Sequence, residues 1–230
     1  MRNGSIFFGA LVMALSSFFG SAHGSPAPNL PAAAVQLQAD KNAKPGELHT
    51  AVVAGGCFWC IEGVYQQLDG VKTVTSGYAG GTKETANYDA VCTGTTGHAE
   101  SVKITYDPAK ITYGELLRVL FTVIDPTQKD QQGPDVGHQY RSAVFYLDDD
   151  QKRVAEAYIQ QLNATKIFKQ KIATTVEPLK ADAFYPAEAY HQNFVACHLL
   201  HPYVRQEALP KIEKVRDKFK DEVKKEDNTK

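Results

Sequence analysis

The chain has 230 residues, 43% of them hydrophobic and 22% charged, which suits a single globular core once processed segments are set aside. Its 25 basic and 26 acidic residues leave a net charge of −1. That balance gives no electrostatic reason to expect a nucleic-acid or anionic-membrane partner, so a small or locally recognised partner is expected instead.

The first 24 residues carry one early Arg2, an apolar run from Ile6 to Leu15, and the small residues Ser21, Ala22 and Gly24. This is the pattern of a signal peptide cleaved after Ala22 or Gly24, with an uncleaved membrane tether as the alternative. Export to a periplasmic or secreted location would place the four cysteines where disulfides persist. Residues 25–46 are rich in Pro, Ala and polar side chains and read as a flexible linker. A catalytic domain is expected over 47–214. From 215 the chain is dense in charge of both signs, the composition of a solvated helix fraying into a charged tail.

Within the domain, "LHTAVVAGG" reads as a strand ended by Gly55 and Gly56. In "FWCIEGVYQQL" the residues Phe58, Ile61, Val64, Tyr65 and Leu68 recur at helical spacing, which puts Cys57 at a helix start. Strands are predicted at "VKTVTSGYAG" and "HAESVKITYD", the second alternating from Val102 to Tyr106. A helix at "TYGELLRVLFTVI", a strand at "QYRSAVFYL", a helix at "DDDQKRVAEAYIQQLNA" and a strand at "IATTVEPL" follow. The segment "PAEAYHQNFVACHLL" is predicted to be a helix begun by Pro186. The strands are too mixed in polarity for a sheet covered on both faces, so the expected class is α+β, a two-layer sandwich with a mixed sheet. The polar segment 125–138 is long for a compact domain and is expected to border the functional site.

The Cys57-Phe58-Trp59-Cys60 stretch poses the chemical question. A helix N-terminus favours a thiolate, and Cys60 lies one turn on, close enough for a disulfide if the first turn allows the geometry. The same spacing is a zinc half-site, but Cys92 and Cys197 stand apart and supply no second pair. As a structural staple so short a loop would constrain the unfolded chain little. Nucleophilic or redox chemistry is therefore favoured, and no metal is expected.

The motifs "GGCFWCIEGVYQQLDGVKTVTSGYAGG", "NYDAVCTGTTGHAESVKITYDP", "GPDVGHQYRSAVFYLD" and "FYPAEAYHQNF", in this order, resemble the methionine sulfoxide reductase A family. The resemblance implies a ferredoxin-like α/β sandwich and thiol-dependent reduction of methionine S-sulfoxide, free or in proteins. It implies that Cys57 attacks the sulfoxide sulfur and that Glu100 supplies a proton. Tyr88 and Tyr140 would hold the oxygen, Phe58 and Trp59 would receive the methyl group, and Asp135 and His191 would orient the surroundings. Attack leaves a sulfenic acid on Cys57, which a second thiol must resolve. The family's usual C-terminal resolving cysteines are missing here. Cys60, standing where the family often has glycine, takes that role, with Cys197 as the alternative and Cys92 as a small packed thiol like Cys197. The resemblance also implies recycling by an external thioredoxin-like dithiol, no organic cofactor, and repair of oxidised exported proteins by what is expected to be a monomer.

Two other readings of the motif are weighed. A general thiol-disulfide oxidoreductase would act on disulfides without any sulfoxide. A secreted binding domain would use the pair as a staple and survive loss of Cys57 in function. Neither accounts for the remaining motifs.

Overall fold

The computed structural model describes residues 29–225. The expected signal peptide, residues 1–24, lies outside the described residues. In chain order they form α1 (Gln38–Lys41), β1 (His49–Gly55), α2 (Phe58–Tyr65), β2 (Val71–Ala79), α3 (Tyr88–Cys92), β3 (Ala99–Tyr106) and α4 (Tyr113–Val123). A small hairpin of β4 (Gln131–Gln132) and β5 (Asp135–Val136) then precedes β6 (Ser142–Tyr146), α5 (Asp149–Thr165) and β7 (Thr175–Pro178). β8 (Tyr185–Pro186), α6 (Phe194–Cys197) and α7 (Leu209–Lys218) complete the chain. Among the described residues no helix is long and apolar enough to cross a membrane.

Six strands make one sheet in the order β7-β6-β1-β3-β2-β8. All neighbours are antiparallel except β6 and β7, which run parallel, so the fold is α+β with a mixed sheet as expected. Alternation along the strands divides the apolar residues between two cores. Ala51 and Val53 of β1 and Val102, Ile104 and Tyr106 of β3 join the large core with α2, α4, α5 and α7. Val52, Ala54, Ala79, Ala99, Ala143 and Phe145 form a smaller core, closed by Leu179 and Phe184 from the β7–β8 connection.

This register has a consequence for the chemistry. Glu100 shares its face of β3 with Val102, Ile104 and Tyr106 by the period-two rule, so it points into the helix-covered layer near the start of α2. On the adjacent strand its partner is Tyr78 of β2. The loop from α4 to β6 is anchored by Gln132, whose side-chain amide accepts from Asp125 N at 2.8 Å and donates to Asp125 O at 2.9 Å.

Three sequence expectations are corrected. The segment 29–46, expected to be a flexible linker, is packed down. Leu30, Ala33 and Leu37 are buried in the large core. Arg118 and Tyr158 donate to the carbonyls of Leu30 and Pro31 at 2.9 and 2.8 Å. Asp40, also buried, accepts from the Tyr113 amide at 2.7 Å and so serves the N-terminus of α4. Composition hid three apolar side chains and one capping carboxylate that together offset the ordering entropy.

The helix expected from Pro186 does not form. Tyr185 and Pro186 pair with Tyr78 and Gly77 at the sheet edge, 189–191 make a single 3-10 turn, and Asn193 is left-handed at φ +56°. Gln192 holds the chain extended: its side chain accepts from Ser76 N at 3.0 Å and donates to Ser76 O at 2.9 Å, as a strand partner would. The charged C-terminal segment does not fray at 215. Val215 and Phe219 are buried, and Leu68 bridges to Val223.

The packed N-terminal segment makes a prediction. Leu37→Ala is expected to lower unfolding free energy by about 2–3 kcal/mol at unchanged m in urea titrations, the cost of a large-to-small change in a core. A free linker would give no change.

Candidate active site

β1 hands over to α2 through a turn that only glycine fits. Gly56 has φ +86°, and a Cβ there would lie 2.6 Å from Gln132 Cβ. The turn delivers Cys57 as the N-cap of α2, and the Cys60 amide donates to Cys57 O at 3.1 Å. Both thiols are free and buried, at 8% and 1% exposure, one helical turn apart. Burial pushes the Cys57 thiol up, while the neighbouring Cys57 thiol draws Cys60 down. The expected helix-start thiolate on Cys57 is therefore corrected. Desolvation outweighs the helix dipole, and the first amide of the helix is occupied by another group.

That group is Glu100. Its Oε2 accepts from the Phe58 amide at 3.0 Å, and the residue is only 2% exposed. Burial pushes its pKa up to about 8; the Phe58 amide opposes the rise, and Asp135 and Cys60 add to it. At neutral pH the carboxyl carries a proton. With Oε2 held by the amide, the other oxygen is left to present that proton.

The aromatic residues close around this pair. Phe58 lies 5.0 Å from the His191 ring and 5.9 Å from Tyr78. Trp59 Nε1 donates to His191 Nδ1 at 3.1 Å, which makes Nδ1 the acceptor and leaves the proton of the neutral ring on Nε2. Burial pushes His191 below the usual imidazole range, in keeping with a neutral ring. Tyr88 packs on His191 at 4.5 Å. Burial raises both Tyr88 and Tyr140; Cys92 and then Glu100 and Cys57 add to the rise at Tyr88, and Glu100 and Cys57 add to it at Tyr140, which places both residues near that pair. Asp135, half-buried and raised by that burial, accepts from Tyr203 at 2.6 Å. All nine residues singled out from the sequence thus belong to one neighbourhood.

Three further residues were missed. Tyr203 bridges Asp135 and Cys60, accepting from Cys60 Sγ at 3.8 Å while donating to Asp135. Phe194 stacks flat on Trp59, 3.7 Å between centroids at 6°. Glu188 accepts from Tyr78 Oη at 2.8 Å and from Tyr88 N at 2.9 Å, holding the start of α3. They lie in the irregular stretch 187–203, where no period marks a face.

Cys92 and Cys197, expected to be packed thiols, are exposed at the ends of the short helices α3 and α6. Cys60, buried one turn after Cys57, is the thiol beside it, whereas Cys197 is exposed. Among the described residues no group of three His, Cys, Asp or Glu side chains could hold a metal ion.

A dry dithiol set beside a protonated carboxyl and two tyrosines suits attack by sulfur on an atom whose oxygen must be protonated as it leaves. The class of protein is a thiol oxidoreductase. Comparison with known proteins narrows it. The family model for peptide methionine sulfoxide reductase matches residues 49–223. Peptide methionine sulfoxide reductase MsrA 2 of Synechocystis is 53% identical over 175 residues, 76% of this chain and 81% of that protein. Its namesake from Mesorhizobium japonicum is 50% identical over 181 residues, 78% and 91% of the two chains. Among solved structures, reduced Mxr1 from Saccharomyces cerevisiae superposes with TM-score 0.61 at 35% identity, covering 69% of this chain and 90% of that one. Methionine sulfoxide reductase A of Corynebacterium diphtheriae gives 0.59 at 32% identity, covering 77% and 88%. The chain belongs to the peptide methionine sulfoxide reductase A family and is a peptide-methionine (S)-S-oxide reductase.

Acting as an acid, the raised carboxyl would set the pH dependence. The protonated form of Glu100 persists up to about pH 8 and is lost above it, so kcat/KM is expected to fall on that alkaline side. Glu100→Gln should remove this limb and lower kcat/KM by about 10²–10⁴-fold, as loss of a general acid does. Steady-state profiles from pH 6 to 10 would check both, as an approximate range for these groups.

Proposed function

We propose that Cys57 attacks the sulfur of a methionine S-sulfoxide while Glu100 protonates the departing oxygen. The observation that carries this reading is the Phe58 amide bond to Glu100, which ties the acid to the residue next to the nucleophile. The substrate methyl group lies against Phe58 and Trp59, and the hydroxyls of Tyr88 and Tyr140 hold the oxygen. As the Cys57 sulfur bonds to the substrate, the thiol proton passes to the Glu100 carboxylate, which has just given its own to the oxygen. Oxygen then moves to Cys57, methionine leaves, and the enzyme retains a sulfenic acid.

Cys60 resolves that intermediate. Its sulfur displaces the sulfenic oxygen as water and forms the Cys57–Cys60 disulfide. The position of Cys60 one turn after Cys57, its amide bonded to Cys57 O, supports it over the exposed Cys197; the neighbouring Cys57, Lys211 and the Tyr203 hydroxyl hold down the Cys60 pKa. Two electrons from an external thioredoxin-like dithiol break the disulfide and restore both thiols. The N-terminal signal pattern supports export, and the enzyme would there act as a monomer that repairs oxidised periplasmic or secreted proteins, with the reductant delivered outside the cytosol.

The test uses S- and R-sulfoxide substrates with dithiothreitol or thioredoxin. Wild type is expected to reduce the S epimer alone. Cys57→Ser should lose all turnover, while Cys60→Ser should complete one turnover, accumulate a sulfenic acid and fail with thioredoxin. Insulin reduction without sulfoxide reduction would instead support a general disulfide reductase. Retained thioredoxin turnover in Cys60→Ser would assign resolution to Cys197.

A further inference from the structure

Glu62 is a buried carboxyl that no step of the reaction uses. It lies on α2 at 1% exposure, and neither of its oxygens has a hydrogen-bond partner among the described residues. Burial pushes its pKa up to about 7. The backbone amides of Asn193 and Phe194 pull it back down, yet they stop short of hydrogen-bond geometry. Burying a carboxyl this poorly paired costs stability, so its position calls for a physical account.

The neighbouring residues of α2 supply one. Trp59, Glu62, Gly63 and Gln66 fall at i, i+3, i+4 and i+7, a single face of the helix. Every one of them meets the irregular segment 191–195. Trp59 donates to His191 and stacks on Phe194. Gln66 Nε2 donates to Asn193 Oδ1 at 2.8 Å. Gly63 faces Val195, whose Cγ2 lies 3.4 Å from where a Cβ would sit. Glu62 lies between these contacts and faces the turn at Asn193, a non-glycine residue held at φ +56°. A left-handed turn of this kind persists only where its surroundings hold it.

We propose that Glu62 is a positioning residue for the substrate pocket. Its carboxyl is buried against the Asn193 and Phe194 backbone, and that close electrostatic contact holds the turn that lays Phe194 flat on Trp59. Through that stack the carboxyl fixes the aromatic wall against which the substrate side chain packs. The inference rests on the reading that Trp59 lines the substrate pocket.

Trp59 is the only tryptophan in the chain, so its fluorescence reports on this wall without any substrate. Glu62→Leu is expected to keep the far-UV circular dichroism and the Tm, because relief of burying a poorly paired carboxyl offsets the lost hold on the turn. It should shift Trp59 emission and raise KM for S-sulfoxide about 10-fold with kcat within about 2-fold, the signature of lost uniform binding. Glu62→Gln, which keeps one acceptor oxygen, should recover most of the KM and of the emission. Should the leucine variant not fold, Glu62→Met, unbranched and of similar length, serves in its place. Unchanged Trp59 emission would overturn the proposal, as would a fall in Tm and kcat together at constant KM, which marks a merely structural role. Trp59→Leu separates the two levels. If its KM is that of wild type while Glu62→Leu still shifts emission, the clamp stands and the pocket assignment is overturned.

Discussion

The hydrogen bond from the Phe58 amide to Glu100 couples the two halves of the site. The amide belongs to the first residue of α2, immediately after Cys57, and the carboxyl belongs to β3. One contact therefore fixes the distance between the proposed nucleophile at the head of a helix and the proposed acid on a strand. It also uses the amide that would otherwise solvate a thiolate at the N-cap. The cost is a less reactive resting Cys57, and the return is an acid whose protonated oxygen has a defined direction.

Both effects follow from burial. Glu100 and Cys57 are each pushed up because the charged form of either is poorly solvated there. In the resting enzyme the pair holds its protons, and a sulfoxide oxygen is the group that would draw one away. Tyr203, linking Cys60 to Asp135, connects this dry region to the loop from α4 to β6. That loop is itself seated on Gly56 by Gln132, so the turn, the loop and the second thiol are positioned together.

Legibility differed sharply along the chain. The long strands and helices from 49 to 178 were readable because their apolar residues recur at periods of two or 3.6, whereas the short α3 and the β4–β5 hairpin carry no such period. Burial of Glu100 was readable in principle from the same alternation, since it stands two residues before Val102 on one face. Residues 29–46 and 186–203 were misread for opposite reasons. In the first, a few apolar anchors were diluted by Pro and Ala. In the second, a helix-like spacing was overridden by Gln192 capturing the edge of β2. Tyr203, Phe194 and Glu188 lie in or at the border of that second stretch, so local pattern offered no route to them.

The sequence by itself determined the chemistry: a cysteine at the junction of a strand and a helix, a second thiol one turn later, and the ordered motifs of one reductase family. Those are properties of residue type and local spacing, and they survive without any knowledge of packing. Tertiary structure alone decided the protonation states and the pairing of groups distant in sequence. Desolvation and contacts such as Phe58 to Glu100, Trp59 to Phe194 and Tyr203 to Asp135 exist only once sheet and helices have closed on one another.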